Sequence, residues 1–307
     1  FSLHARHDEK FAGTGERFAG TNLSGRTLNL INEDGLGANS RRAYKNVPFY
    51  VSSKGYGLFM HTSAPVRLSL ADISTRAAQA VIEEATLDLF FIGGGKGNDR
   101  IARIVRDYMR ITGFPHETPP LWSFGTWMSR MSYYTADEAL EVADKLRQGD
   151  FPFDVLHLDI GWFEKNWHCD WEFGRTKFPD PEGFMQEMRR RGVRVSLWQN
   201  ISIGKKNKHY AEAAANRYIP PKIGQVGSGS NFGEQEFGGK IDFTNPKAVE
   251  WYQGLLGKLL DIGASVIKTD FGEDIDMEAD YVGLPAHLLR NRYCLLYQKA
   301  AYEITRQ

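Results

Sequence analysis

The chain has almost no cysteine: Cys169 and Cys294 are the only two in 307 residues. Two thiols cannot build a disulfide scaffold or a four-thiolate metal site, so they read as reduced thiols, and the cytoplasm is the favoured compartment. Net charge is equally lacking. With 38 basic and 38 acidic residues, no electrostatic footprint exists for nucleic acid or an anionic membrane. No stretch approaches the roughly 20 apolar residues of a membrane span, and no secretory leader is visible. The glycines at Gly224, Gly227, Gly229, Gly233, Gly238 and Gly239 are not followed by GK[ST], which excludes a phosphate loop. An initiating methionine is also missing. The sequence opens at Phe1 as if in mid-domain, which implies that an original N-terminus lies outside it.

Aromatic residues are plentiful, at 13% with seven Trp, and a neutral, aromatic-rich chain suits a neutral partner such as a sugar. Residues 1 to about 112 carry short β-like runs between turn signals: Arg26 to Leu30, Phe49 to Ser52, Gly57 to Met60, Val66 to Leu70 and Leu87 to Ile92. That spacing predicts a β-sandwich, incomplete at its N-terminus. A helical period over Ile101 to Ile111 then leads to Gly113 and Pro119-Pro120, the expected boundary.

Residues 113–307 alternate strand and helix, the pattern of an α/β fold with parallel strands. Strands are expected at Ser123 to Met128, Val155 to Ile160, Val193 to Trp198 and Val266 to Asp270. Helices open at Thr135-Ala136-Asp137-Glu138, a capping box, and at Asp180-Pro181 and Asn245-Pro246, where an N-cap precedes proline at N1. A last helical stretch covers Tyr293 to Thr305. The segment at about 204–241 exceeds an ordinary connection and reads as a mobile active-site loop or small insert.

The most informative stretch is Ala264 to Glu273, where a β-branched run ends in Lys268, Asp270 and Glu273 around Gly272. In (β/α)8 barrels, chemistry sits where such strands emerge at their C-terminal ends. Lys268 and Asp270 are two residues apart and so share one strand face. The competing reading is a helix cap at Asp270 neutralised by Lys268. Asp159 ends the second expected strand on the same barrel face, with His157 two residues before it.

The string Lys268-Thr269-Asp270-Phe271-Gly272-Glu273 resembles the nucleophile motif of glycoside hydrolase family 31, in its bacterial α-xylosidase-like branch. Further motifs extend the resemblance along the chain: Gly13-Thr14-Gly15-Glu16-Arg17-Phe18, Ala43 to Tyr50, Trp122 to Trp127, His157-Leu158-Asp159, Phe178 to Gly183 and Asp242 to Pro246. It implies an N-terminal β-sandwich followed by the first half of a (β/α)8 barrel. Four strands do not close eight, so the chain is expected to be a piece of a longer enzyme.

The resemblance also implies a retaining α-glycosidase that releases a terminal α-xylosyl or α-glucosyl residue from an oligosaccharide or glycoside, with no cofactor or metal. Asp270 would be the nucleophile. The acid/base would be an Asp later in the barrel, in a motif without counterpart here. Asp159 would bind sugar hydroxyls, Trp198 would line the sugar pocket, and Asp34 lies in a loop that would reach toward it. Lys268, Phe271 and Ile160 are expected among the substrate-binding residues beside the nucleophile, while Trp127 and Arg130 are expected at the pocket mouth.

Ile160-Gly161 departs from the family pattern, where a bulky residue in place of Gly161 would exclude the hydroxymethyl group that glucose has and xylose lacks. Gly161 therefore weakens strict xylose selectivity, and Gly161→Phe is expected to depress glucoside more than xyloside hydrolysis. The rivals are a transglycosylase, a non-catalytic carbohydrate-binding protein, and a metal-dependent barrel hydrolase built on His157 and Asp159. Homo-oligomerisation is left open.

Overall fold

The computed structural model describes residues 1–35, 41–114, 117–221 and 237–306. Two compact units divide the chain: Phe1–Glu117 with His287–Arg292, and Thr118–Ala286 with Tyr293–Gln307.

The first unit contains β1 (Ser2–His4), β2 (Phe11–Glu16), β3 (Arg26–Leu30), β4 (Lys45–Ser52), β5 (Tyr56–His61), β6 (Val66–Leu70), β7 (Ala77–Ile82) and β8 (Asp88–Gly93). They form two four-stranded antiparallel sheets, in the orders β1-β7-β6-β3 and β2-β4-β5-β8. One apolar core joins them, with Leu28, Leu68 and Ala80 from one sheet meeting Phe11, Tyr50 and Met60 from the other. Alternating inward side chains of facing sheets make this a β-sandwich. β1, β2 and β7 carry little sequence signal, since β1 is three residues long, β2 is glycine-rich and β7 is alanine-rich.

The Gly13-Thr14-Gly15 motif has a backbone cause. All three residues have positive φ, and the β2–β4 register shifts across them. A Cβ on Gly15 would lie 2.2 Å from the Lys45 carbonyl oxygen, so only glycine permits this β-bulge. Helix α1 (Arg100–Thr112) packs on the outer face of the second sheet, where Ile104 joins Phe49, Phe59 and Ile92, and Tyr108 stacks on Phe49 at 4.0 Å.

The second unit holds four parallel strands: β9 (Trp127–Ser129), β10 (Val155–Leu158), β11 (Arg194–Gln199) and β14 (Val266–Thr269), in the order β14-β11-β10-β9. Between them run α2 (Ala136–Gln148), α3 (Pro181–Arg190) and α5 (Pro246–Asp261), and α6 (Ala286–Thr305) follows β14. Consecutive parallel strands joined by helices are successive units of a (β/α)8 barrel. β10 and β11 are almost wholly buried, including the polar side chains of His157, Ser196 and Gln199.

All four expected strands move at their ends, and the last stops at Thr269, one residue before Asp270. Ser123 and Phe124 fall in a 3₁₀ turn, Leu121–Phe124, leaving only Trp127–Ser129 as strand. Ile160 leaves β10 for the 3₁₀ turn Ile160–Trp162, because Asp159 caps it through the Ile160 N–H at 2.9 Å. β11 runs one residue further, to Gln199. α6 begins at Ala286, after Pro285, rather than at Tyr293. In the long connection, β12 (Ser202–Gly204) pairs antiparallel with β13 (Phe237–Lys240), and α4 (Tyr210–Ala215) lies between them. Gly224, Gly227, Gly229 and Gly233 lie outside the described residues.

The caps follow the sequence closely. Thr135 Oγ1 accepts the Glu138 N–H at 3.1 Å, Asp180 accepts that of Gly183 at 2.9 Å, and Asn245 accepts that of Lys247 at 3.1 Å. The Glu138 carboxylate reaches back one residue further than a capping box requires, to the Tyr134 N–H at 2.7 Å. Thr135→Ala should cost about 1 kcal/mol and Thr135→Ser only a small fraction of that. Urea unfolding of the two variants checks this, and equal midpoints would show that the cap does not support α2.

Candidate active site

Parallel register brings the polar strand ends of the second unit together. His157 pairs with Ser196 and Trp198 with Lys268, so each pair shares a level and a face. The His157 ring bonds Ser196 Oγ through Nδ1 at 2.9 Å and Asp159 Oδ2 through Nε2 at 3.1 Å. Both ring nitrogens are engaged in orienting Asp159. Among the described residues, no group of three or more His, Cys, Asp or Glu side chains is placed to hold a metal ion.

Lys268 joins the two carboxylates. Its Nζ lies 3.6 Å from Asp159 Oδ2 and 3.4 Å from Asp270 Oδ2. The ammonium offsets the repulsion between two acids on the strand ends that flank β11. Asp159 is mostly covered, and burial alone would raise its pKa. The His157 bond, the Ile160 N–H and the charges of Lys268 and His157 outweigh burial and hold it below its ordinary 3.8. Asp159 is therefore an ionised acceptor at neutral pH, unsuited to proton donation.

Asp270 follows β14 directly. Its Oδ2 accepts the Trp198 indole N–H at 2.5 Å, its Oδ1 accepts the Phe271 N–H at 3.0 Å, and its own N–H donates to Gln199 O at 3.1 Å. Its side chain keeps 36% exposure, so the carboxylate is fixed in direction yet reachable. Phe271 adopts φ 57° and Gly272 φ 125°, a sharp turn immediately after the carboxylate. A left-handed aromatic residue is uncommon and marks strain concentrated at one place.

Other expected site residues sit differently. Trp198 is 1% exposed, edge-on to Phe163, Trp167 and Phe271. It serves the site through its indole N–H rather than through an open face. Ile160 is also buried and contributes its backbone N–H. Trp127 lies at the wrong end of the sheet for a pocket mouth. It pairs with Val155, the first residue of β10, roughly 13 Å along the strand from the level of Asp159. Its indole N–H bonds Ser123 O at 3.0 Å. Arg130 is at the C-terminal end of β9, but its guanidinium turns to Glu138, Ser132 O and the Tyr133 ring. Asp34 belongs to the first unit, where it is 8% exposed and accepts the Tyr44 hydroxyl at 2.7 Å.

Gly161 corrects the selectivity argument. A Cβ there would meet Ser132 Cβ and Oγ at 2.7 Å and Tyr134 Cδ1 at 3.1 Å. The position is packed under the loop that follows β9, so Gly161→Phe cannot project into open space without displacing Ser132.

Sequence reasoning missed His157 as the group that orients Asp159, Ser196 behind it, and Gln199 beside Asp270. The two-residue spacing of His157 and Asp159 was the available signal. Nothing in a single sequence marks Ser196 or Gln199, because register alone gives them their partners.

Comparison with known proteins places these features. Residues 116–307 match the sequence profile of the glycosyl hydrolases family 31 TIM-barrel domain. Residues 1–68 match that of the glycosyl hydrolase 31 N-terminal galactose mutarotase-like domain. The alpha-xylosidase XylQ of Lactiplantibacillus pentosus is 35% identical over 305 residues, covering 98% of this chain and 39% of its own length. An alpha-xylosidase of Emericella nidulans is 34% identical over 300 residues, covering 96% of this chain and 37% of its own. The chain thus spans under two fifths of the length of these relatives. Among solved structures, the GH31 dextranase FjDex31A of Flavobacterium johnsoniae, complexed with glucose, superposes with TM-score 0.86 at 24% identity. That match covers 99% of this chain and 38% of the dextranase. A GH31 alpha-xylosidase from a soil metagenome, complexed with xylose, gives TM-score 0.84 at 22% identity, over 99% of this chain and 43% of that one. Sandwich, half-barrel and strand-end motifs therefore have one explanation: the chain belongs to glycoside hydrolase family 31.

Proposed function

We propose that Asp270 is the nucleophile of a retaining α-glycosidase acting on a terminal α-xylosyl or α-glucosyl residue. The observation that carries this reading is the Asp270 carboxylate itself, accessible at a strand end and aimed by Trp198, Phe271 N–H and Lys268. The alpha-xylosidase relatives support the substrate class.

In the first step an Asp270 oxygen donates an electron pair to the anomeric carbon. The bond from that carbon to the leaving oxygen breaks, and the leaving oxygen takes a proton from a second carboxyl group. By family resemblance that acid belongs to a later strand. Water then attacks the same carbon and gives its proton to the second carboxylate, which is restored to its acid form; the bond to Asp270 breaks, and two inversions retain the α configuration. Asp159 offers two carboxylate oxygens to vicinal hydroxyls, and Lys268 adds a donor between Asp159 and the reacting centre. No metal or organic cofactor enters this scheme.

Asp270→Asn should lower turnover of an α-xylosyl substrate by on the order of 10⁴-fold or more while the protein stays folded, because the change is near-isosteric at an open edge. Steady-state kinetics with circular dichroism checks both halves, and retained turnover would sink the assignment.

Asp159 also predicts a pH dependence. Its folded-state pKa is depressed, so its contribution to stability is present above the unfolded value of 3.8 and is lost as pH falls through the folded value. Asp159→Asn should flatten that acid limb. Thermal melts between pH 2 and pH 6 (a range of about this width brackets the transition) would show unchanged slopes if Asp159 were not held by its partners.

Gly161→Phe should destabilise the protein by about 1–3 kcal/mol through overpacking against Ser132, and depress xyloside and glucoside hydrolysis alike. A selective loss of glucoside activity at full stability would restore Gly161 as a pocket determinant.

A further inference from the structure

Behind the Asp270 turn, on the face of β11 opposite to Trp198, lies a second polar group that the scheme above does not use. Gln199 is 0% exposed. Its Oε1 accepts the Trp171 indole N–H and the Tyr252 hydroxyl, each at 3.1 Å, and its Nε2 donates to the Tyr297 hydroxyl at 2.6 Å. Trp171, Tyr252 and Tyr297 are buried to 1% exposure or less. An apolar side chain would fill such a layer without desolvating any polar atom. A fully partnered amide instead fixes the direction of every group bonded to it.

The network ends on the backbone of Asp270. Tyr297 donates to the Asp270 carbonyl at 3.4 Å, while the Gln199 carbonyl accepts the Asp270 N–H at 3.1 Å. Both peptide groups flanking the Asp270 Cα are thereby tied to one residue, one directly and one through a hydroxyl. α6 grips the turn again beyond that point. Cys294 Sγ donates to Gly272 O at 3.0 Å, and a Cβ on Gly272 would lie 3.2 Å from Tyr297 Cδ1. Two consecutive positive-φ residues, Phe271 and Gly272, hold their conformation only if the surroundings over-determine it. Burial pushes the Tyr297 hydroxyl well above its ordinary pKa, so it stays a neutral donor at any working pH.

We propose that Gln199 and Tyr297 are positioning residues that hold the Asp270 backbone, and thus its carboxylate, in line for attack. This rests on the reading of Asp270 as nucleophile. Apo hydrogen bonds at reacting centres are often long and tighten when ligand binds, which fits the 3.4 Å link from Tyr297. A small displacement of a nucleophile acts on the chemical step rather than on ligand affinity.

The test uses the protein with its natural termini and a fluorinated α-xylosyl fluoride, whose leaving group needs little protonation. Wild type should be labelled at Asp270. Tyr297→Phe should slow the labelling rate constant about 10- to 100-fold at a temperature where the variant remains fully folded, with reagent affinity nearly unchanged. Gln199→Met should act in the same direction. If both work through one network, the double variant falls no further than the worse single one. Unchanged labelling in Tyr297→Phe overturns the proposal, as does a loss that tracks thermal stability and multiplies in the double variant. Should Tyr297→Phe fail to fold, Gln199→Met is read by the same two criteria. Wild type labelled elsewhere defeats the nucleophile reading and the positioning role with it. Labelling at Asp270 with variants as fast as wild type defeats only the positioning role.

Discussion

One ammonium group shared by two carboxylates organises the candidate site. Asp159 and Asp270 leave strands separated by β11, and each approaches Lys268 Nζ within 3.6 Å. Without that cation, the two acids would repel each other across the end of β11. With it, Asp159 remains an acceptor, and the carboxylate oxygens of both residues are available for different tasks. The strand register explains why the cation is there. Lys268 lies level with Trp198, two residues before Asp270, so alternation puts ammonium and carboxylate on one face.

β11 braces this arrangement from both sides. Trp198 reaches the Asp270 carboxylate on one face, while Gln199 reaches its peptide groups on the other. Consecutive strand residues must point opposite ways, so a single dipeptide can hold both the side chain and the backbone of the group that follows the next strand. The cost is a buried amide and three buried donors, which is tolerable because each is partnered.

Much of this was legible because the signals are local. N-caps at Thr135, Asp180 and Asn245 appear as read, since a short polar side chain before an apolar period satisfies the first free N–H groups wherever it occurs. The Lys268 and Asp270 pairing followed from two-residue alternation alone. Trp127 was misplaced because Ser123 to Phe124 form a 3₁₀ turn, which shifts the strand start and leaves Trp127 at its N-terminal end. Gly161 was misread because an open pocket position and a packed one look identical when the neighbour, Ser132, comes from another loop. Gln199 gave no sign at all, as its meaning depends on Trp171, Tyr252 and Tyr297, which stand far from it in sequence.

The central claim is that Asp270 forms the bond to the sugar while Lys268 and Asp159 hold the hydroxyls beside it. A crystal structure of the protein with its natural termini, trapped by a fluorinated α-xylosyl fluoride, tests it most directly. The account predicts continuous density between an Asp270 carboxylate oxygen and the anomeric carbon, with Asp159 and Lys268 bonded to sugar hydroxyls. A sugar attached to any other side chain, or bound away from Lys268, would contradict it.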